Sequence, residues 1–137
     1  MKKIASTSDF FQAIRQPNAI IFFNASWTHA SASSKSCAQK FARHVQWEIP
    51  VYEVDLDDFD FVYDWVGQKE RTNWELTGAM SRPAGKFRDR LVGNGEMMWI
   101  RDGEIVGFES YIAALTFDGL MDRTSFLYWE YLTSIAC

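Results

Sequence analysis

The sequence predicts an α/β fold with a mixed central sheet, and three observations support this. Strand-like and helix-like segments alternate along the first half of the chain, which is typical of parallel strands joined by helices. Residues 19–24 form a continuous apolar run of the kind found in strands buried on both faces. Asp102 and Gly103 separate two further strand-like segments, and an Asp-Gly pair there predicts a hairpin turn. The hairpin adds antiparallel strands to a parallel core.

The first elements follow from capping and breaking signals. A short edge strand is predicted at residues 3–5. Ser8 is a suitable N-cap for the first helix, and Asp9 in the first turn suits the helix dipole. Pro17 ends this helix before the buried strand at 19–24.

A longer helix is predicted over residues 30–45, because Cys37, Phe41 and Val45 fall on one stripe at a spacing of four residues. A strand is expected at 51–56. Cys37 on this stripe is interpreted as an inert core thiol, the alternative being a redox centre with a single cysteine.

The second half is less regular. A helix is predicted around 59–66, capped by Asp57 or Asp58, and strands at 96–101 and 104–108 flank the hairpin turn. The last helix, expected over about 117–135, is rich in aromatic residues. Its inward side is predicted to carry Leu120, Leu127 and Tyr131, with Phe126 and Trp129 on other faces. These surplus rings suit either contact with the preceding insertion or a homo-oligomer interface.

Size and composition narrow the function classes. The 137 residues suit one domain spanning 1–137, and the formal charge of −4 disfavours a nucleic-acid binder. The two cysteines, Cys37 and Cys137, form neither a disulfide framework nor a zinc site, so we expect no metal and no cofactor. No apolar run approaches the length of a membrane span, and the interpretation is a cytoplasmic protein.

Three segments resemble the thioredoxin family. Residues 20–27, Ile-Ile-Phe-Phe-Asn-Ala-Ser-Trp, look like the strand that enters the thioredoxin active site. Residues 52–58 look like the third strand with its acidic exit, and 97–106 look like the hairpin. The resemblance covers most of residues 3–66 and 94–135. It implies a thioredoxin-like three-layer α/β/α fold around the mixed sheet.

The active-site chemistry of the family is not carried over by this resemblance. Thr28 and Ser31 stand at the two cysteine positions of the Trp-Cys-x-x-Cys motif, and a hydroxyl cannot undergo disulfide exchange. Phe22 occupies the position of the family's buried acid. Gly95 aligns with the family's cis-proline, with Pro83 as the alternative.

The hydroxyl-rich start of the second helix has two interpretations. Thr28, Ser31 or Ser33 can simply cap the helix, or the free N–H groups can hold an anion with His29 nearby. A nucleophilic Ser–His pair lacks an orienting acid and makes a weak case. An acidic cluster on the third strand and just after it lacks the spacing of a calcium loop and is interpreted as a solvated strand exit. Its members are Glu53, Asp55, Asp57, Asp58 and Asp60.

Residues 67–93 form an atypical insertion, longer than the connection usual in the family. They carry six basic residues against three acidic ones. A connection of this length is usually functional or disordered. The segment is interpreted either as a charged docking loop or as a solvated excursion. The possible docking residues are Lys69, Arg71, Arg82, Lys86, Arg88 and Arg90.

The sequence therefore predicts a redox-inactive thioredoxin-like domain that binds a protein partner, as an adaptor, an assembly factor or an inhibitor. Two alternatives stay open: a thiol-dependent oxidoreductase or transferase-like enzyme, and a nucleic-acid accessory protein that uses the 67–93 segment. No catalytic residue is assigned. The partner-binding surface is expected to comprise Trp27, Thr28, His29, Ser31, Asn94 and Gly95.

Overall fold

The computed structural model describes residues 1–45, 48–57, 65, 91 and 93–128. The strands are β1 (Lys2–Lys3), β2 (Asn18–Asn24), β3 (Val51–Asp55), β4 (Glu96–Arg101) and β5 (Glu104–Glu109). The helices are α1 (Thr7–Ile14), α2 (His29–Val45) and α3 (Thr116–Leu127), with a short 3₁₀ helix at Ile112–Ala114. Among these described residues, no helix is long and apolar enough to cross a membrane.

The five strands form one mixed sheet in the order β1-β3-β2-β4-β5. Strands β1 and β2 both run parallel to β3, whereas β4 is antiparallel to β2 and to β5. The mixed sheet is therefore confirmed. The β4–β5 turn is at Asp102 and Gly103, whose φ angles of 52° and 78° are those of the type I′ turn that an Asp-Gly pair favours.

The sheet separates two hydrophobic clusters, which gives the three layers. Successive side chains of a strand point to opposite faces, so Ile21 and Phe23 of β2 pack with α1, whereas Ile20 and Phe22 pack beneath α2 and α3. Every residue of β2 is buried. This burial agrees with the uninterrupted apolar run from which β2 is predicted. It also agrees with the position of β2 at the centre of the sheet.

Helix α1 begins two residues earlier than the capping prediction. The N-cap is Ser6, not Ser8, because the Ser6 hydroxyl accepts a hydrogen bond from the Asp9 backbone N–H. The Asp9 carboxylate in turn accepts a bond from the Ala5 N–H at 3.2 Å. The arrangement differs from a capping box, because the Asp9 carboxylate returns to the residue before the N-cap and not to the N-cap N–H itself. The edge strand also lies one residue earlier, at Lys2–Lys3.

The inward stripe of α3 differs from the prediction. Its buried residues are Leu120 and Thr124, followed by Tyr128 just past the helix, whereas Leu127 is only partly buried. Thr124 is buried because its hydroxyl accepts a bond from the Trp99 indole N–H and donates to the Leu120 carbonyl. Phe126 is 80% exposed, as expected.

Several predictions fall outside the described residues. These are the helix around 59–66 apart from Trp65, nearly all of the 67–93 insertion with its six docking residues, and the end of the last helix beyond Tyr128. Trp65 and Leu91 are described, and both are buried in the cluster on the α1 side of the sheet.

Candidate functional site

The site lies where α2 begins, at the carboxyl ends of β2 and β3. Strand β2 ends at Asn24, and the chain enters α2 at His29 after a short loop. Leu56 donates its backbone N–H to the Asn24 carbonyl, so the exit of β3 is bonded to the exit of β2. In open α/β sheets this edge is the usual place for a ligand site.

Thr28 is the N-cap of α2. Its hydroxyl oxygen accepts a hydrogen bond from the Ser31 backbone N–H at 3.0 Å, which satisfies one of the free N–H groups at the helix start. The same hydroxyl donates to the Gly93 carbonyl, so the cap also ties the helix to the segment before β4. Of the three hydroxyl residues proposed as caps, the structure identifies Thr28.

Ser31 is fully buried and lies between two groups of the strand exit. Its hydroxyl donates to the Asn24 side-chain oxygen at 3.0 Å and accepts from the Ala25 N–H at 2.8 Å. The hydroxyl therefore has a partner within the protein both as a hydrogen-bond donor and as an acceptor. Ser31 cannot touch a partner from this position, and it supports the loop that holds Trp27.

The segment 93–95 packs against the first turns of α2. The Gly93 N–H donates to the carboxylate of the fully buried Glu96 at 3.1 Å. The Asn94 carbonyl accepts from the Ser34 hydroxyl, and the Gly95 carbonyl accepts from the Ile112 N–H. The Gly93 carbonyl accepts from the Thr28 hydroxyl, so all three carbonyls of this segment have donors within the protein.

Gly95 could not be replaced by a proline or by a residue with a side chain without strain. Its φ of +84° lies in the left-handed region, whereas proline is held near −65°. A Cβ on Gly95 would lie 2.2 Å from the Ser34 Cβ. No described peptide bond is cis. Pro83, the alternative position for the family's proline, lies outside the described residues.

The exposed side chains of the site are few. Trp27 is 57% exposed, His29 and Asn94 are also exposed, and Thr28 is partly buried. We refer to these four residues as the helix-tip surface. Tyr111, 37% exposed, precedes Ile112, the residue whose N–H bonds the Gly95 carbonyl. Tyr111 and Gly93 are not among the predicted site residues, because they come close to the start of α2 only through the folding of distant segments.

The acidic strand exit is divided between structural ion pairs and one exposed carboxylate. Glu53, only 7% exposed, lies 3.2 Å from the Lys35 ammonium, and Asp55 lies 3.7 Å from that of Lys3. Asp57 is exposed and accepts a hydrogen bond from the Ser26 hydroxyl. No group of acidic, His or Cys side chains among the described residues has the arrangement of a metal site.

Cys37 lies about two turns into α2 and is partly buried against the cluster beneath that helix. Burial raises the pKa of its thiol, and the nearby Lys40 ammonium offsets this effect only in part. A thiol with a raised pKa is a poor nucleophile at neutral pH. The thiol is also well away from the helix start, where Thr28 and Ser31 lie. Phe22, on the same side of the sheet, is completely buried.

Comparisons with solved structures give the fold. Thioredoxin from Trypanosoma brucei brucei superposes with a TM-score of 0.61 at 13% identity, covering 90% of this chain and 89% of that one. A mutant thioredoxin from Halobacterium salinarum gives a TM-score of 0.62 at 14% identity, covering 90% and 87%. The Drosophila germline-specific thioredoxin Deadhead gives 0.57 at 15%, covering 91% and 97%.

Comparisons of sequence identify no relative. No protein-family model matches the chain, and no curated protein sequence matches it either. Identities of 13–15% with matches over nearly the full length of both chains establish a common architecture and leave activity open. The chain therefore has a thioredoxin-like α/β fold, the architecture that the three resembling segments predict.

Proposed function

We propose that this protein is a redox-inactive thioredoxin-fold module that binds another protein through the helix-tip surface. The observation that carries the proposal is the use made of Thr28 and Ser31, which stand at the two cysteine positions of the family motif. Both hydroxyls are bonded within the protein, Thr28 to Ser31 and Gly93, and Ser31 to Asn24 and Ala25. The positions that carry thiol chemistry in the family serve here to fix the loop.

The chemistry of the remaining groups supports a binding role over a thiol-dependent enzyme. Cys37 has a raised pKa and partial burial, so its thiolate is scarce at neutral pH. Phe22, at the family's buried-acid position, can neither accept nor deliver a proton. The helix-tip surface offers an indole ring, an imidazole and a carboxamide to solvent. Trp is the residue among these that is enriched at the centre of protein interfaces.

Binding by side chains fits this structure better than binding by main-chain pairing. In the family, backbone groups beside the cis-proline pair with an extended peptide, a form of β-augmentation. Here the Gly93, Asn94 and Gly95 carbonyls already accept bonds from Thr28, Ser34 and Ile112. A partner would then be recognised mainly by the exposed Trp27 ring. An adaptor, an assembly factor and an inhibitor would all use such a surface.

A display experiment tests the binding role. Random peptides displayed on phage are selected on the immobilised protein, on the Trp27→Ala variant and on the Phe126→Ala variant. Phe126 is the matched control, because it is an aromatic residue that is even more exposed, at 80%, and lies on α3. The proposal predicts that peptides retained by the native protein are retained by Phe126→Ala and lost by Trp27→Ala. Equal retention by all three proteins would contradict it.

Reduction of insulin by dithiothreitol tests the redox half of the proposal. Native protein should leave the rate of insulin precipitation unchanged from that with dithiothreitol alone. An acceleration that disappears in the Cys37→Ser variant would overturn the redox-inactive assignment and favour the enzyme alternative.

A further inference from the structure

The Trp27 ring packs against backbone on one side, although the residue as a whole is exposed. A Cβ built on Gly93 would lie 3.2 Å from two atoms of the Trp27 six-membered ring, so the ring packs closely on the Gly93 backbone. Gly93 itself is fixed by its bonds to Glu96 and Thr28. Trp27 is nevertheless 57% exposed. A pre-oriented aromatic side chain loses little conformational entropy when a partner binds.

A carboxylate is bonded to the residue that precedes Trp27. The Asp57 side chain accepts a hydrogen bond from the hydroxyl of Ser26, the residue directly before Trp27. Asp57 is exposed and comes from the exit of β3, which is bonded to the exit of β2. The bond to Ser26 ties the carboxylate to the loop that carries Trp27, so one loop brings together an exposed indole and an exposed acid.

The described surroundings contain no compensating Lys or Arg. Neither residue type occurs in the stretches 24–34, 55–57, 93–96 and 110–114. Two described lysines pair with other acids, Lys35 with Glu53 and Lys3 with Asp55. Of the residue types Asp, Glu, Lys and Arg, these described stretches therefore contain only acids, which favours a cationic over an anionic ligand at the start of α2.

We propose that the helix-tip surface recognises a basic protein segment, with an Arg or Lys side chain lying over the Trp27 ring and its charge directed to Asp57. Guanidinium and ammonium groups are attracted to the face of an indole, and a nearby carboxylate adds a charge-assisted contact. This inference rests on the proposed binding function and specifies the chemistry of the partner.

To test this, the retained phage-display peptides are sequenced. The affinity of one of them for the native protein and for the Asp57→Asn and Glu48→Gln variants is then measured by calorimetry. Glu48 is an exposed acid just beyond the other end of α2, about 25 Å from the helix start at 1.5 Å per residue. Its substitution removes the same charge without touching the surface. Retained peptides should be enriched in Arg and Lys, and Asp57→Asn should weaken binding roughly 2- to 5-fold, as expected for one exposed ionic contact. Glu48→Gln should leave the affinity unchanged.

The outcomes separate this inference from the function on which it rests. Peptides that depend on Trp27 but are uncharged or acidic, or an Asp57→Asn variant equal to Glu48→Gln, would overturn the basic-partner inference and leave the binding role standing. Retention that is independent of Trp27 would overturn both. Weaker binding of the basic peptide at higher salt is expected as well, because the contact is exposed and therefore screened.

Discussion

Gly95 lies so close to Ser34 that a Cβ on the glycine would be 2.2 Å from the Cβ of the serine. This contact joins the segment before β4 to the second turn of α2, and the Ser34 hydroxyl bonds the neighbouring Asn94 carbonyl at 3.3 Å. The position that the family resemblance aligns with a proline is thus a glycine for steric reasons. The site is shaped by this close backbone approach.

The Gly95→Ala variant should be destabilised more than Gly103→Ala. Both glycines have a positive φ, 84° and 78°, so both substitutions incur the left-handed penalty of about 1–2 kcal/mol. Only Gly95 also has the clash with Ser34, since the nearest atom to a Cβ on Gly103 is 4.0 Å away. Overpacking should add roughly 1–3 kcal/mol to the loss at Gly95. Urea unfolding of the two variants measures the difference.

Ser34→Gly provides the matched test of that clash. In the Gly95→Ala background it should recover part of the lost free energy of unfolding. In the native protein the same change should cost about 1 kcal/mol or more, because it places a glycine in a helix and removes the bond to the Asn94 carbonyl. Additive losses in the double variant would show that the two residues do not interact as described.

Removing the Thr28 hydroxyl should loosen the start of α2. Thr28→Val keeps the shape of the side chain but loses the cap on the Ser31 N–H and the bond to the Gly93 carbonyl. We expect a loss of about 1–2 kcal/mol in the free energy of unfolding. Thr28→Ser retains the hydroxyl and should stay close to the native value. Equal losses for Val and Ser would contradict the capping role.

Tyr128 should make stability depend on pH in the alkaline range. Its hydroxyl is buried and bonds the Ala19 carbonyl at 3.1 Å and the Ile100 carbonyl at 2.9 Å. Burial raises its pKa above the ordinary value of 10.0. The unfolded chain therefore loses this proton first, and the stabilising contribution is present below pH 10 and is lost as the pH rises above it.

The Tyr128→Phe variant tests this linkage. Below about pH 10, the ordinary tyrosine pKa, it should be less stable by about 1 kcal/mol, the usual net contribution of a hydrogen bond. At higher pH the native protein should lose stability more steeply than Tyr128→Phe. Tyr111→Phe, which removes an exposed hydroxyl, is the control and should follow the native curve. If the dependence of stability on pH is the same for all three proteins, the raised pKa of the buried Tyr128 hydroxyl is contradicted.

Cys37 should alkylate slowly in the folded protein. In a Cys137→Ser background, the rate of reaction with iodoacetamide at about pH 8 should be lower than for the same chain in urea, because burial raises the thiol pKa from 9.0 and reduces the thiolate fraction. Mass spectrometry of timed samples gives both rates. A folded chain that reacts faster than the unfolded one would indicate an activated thiol.

Much of the fold could be predicted from sequence because its signals are local. The apolar run of β2, the stripe of α2 and the Asp102-Gly103 turn each depend on neighbouring residues, and each segment appears in the structure. The N-cap of α1 shows the limit of such signals, because Ser6 and Ser8 are equivalent by residue type. Only the Ser6 hydroxyl meets the Asp9 N–H.

The inner side of α3 and the supports of the site depend on contacts between distant segments. Thr124 and Tyr128 carry polar groups, and they are buried only because Trp99, Ala19 and Ile100 offer them partners. Gly93 and Ser34 belong to the site through the same long-range packing. Pattern and propensity carry no information about such pairs.

The affinity of one retained basic peptide for a cysteine-free variant tests the central claim most directly. Isothermal titration would compare native protein, the Cys37→Ser/Cys137→Ser variant, Trp27→Ala and Phe126→Ala. Recognition by the helix-tip surface predicts equal affinity for the native, cysteine-free and Phe126→Ala proteins, and a loss of roughly 5-fold or more for Trp27→Ala, the upper range for one exposed cation–π contact. Binding that disappears with the cysteines and persists without Trp27 would contradict the account.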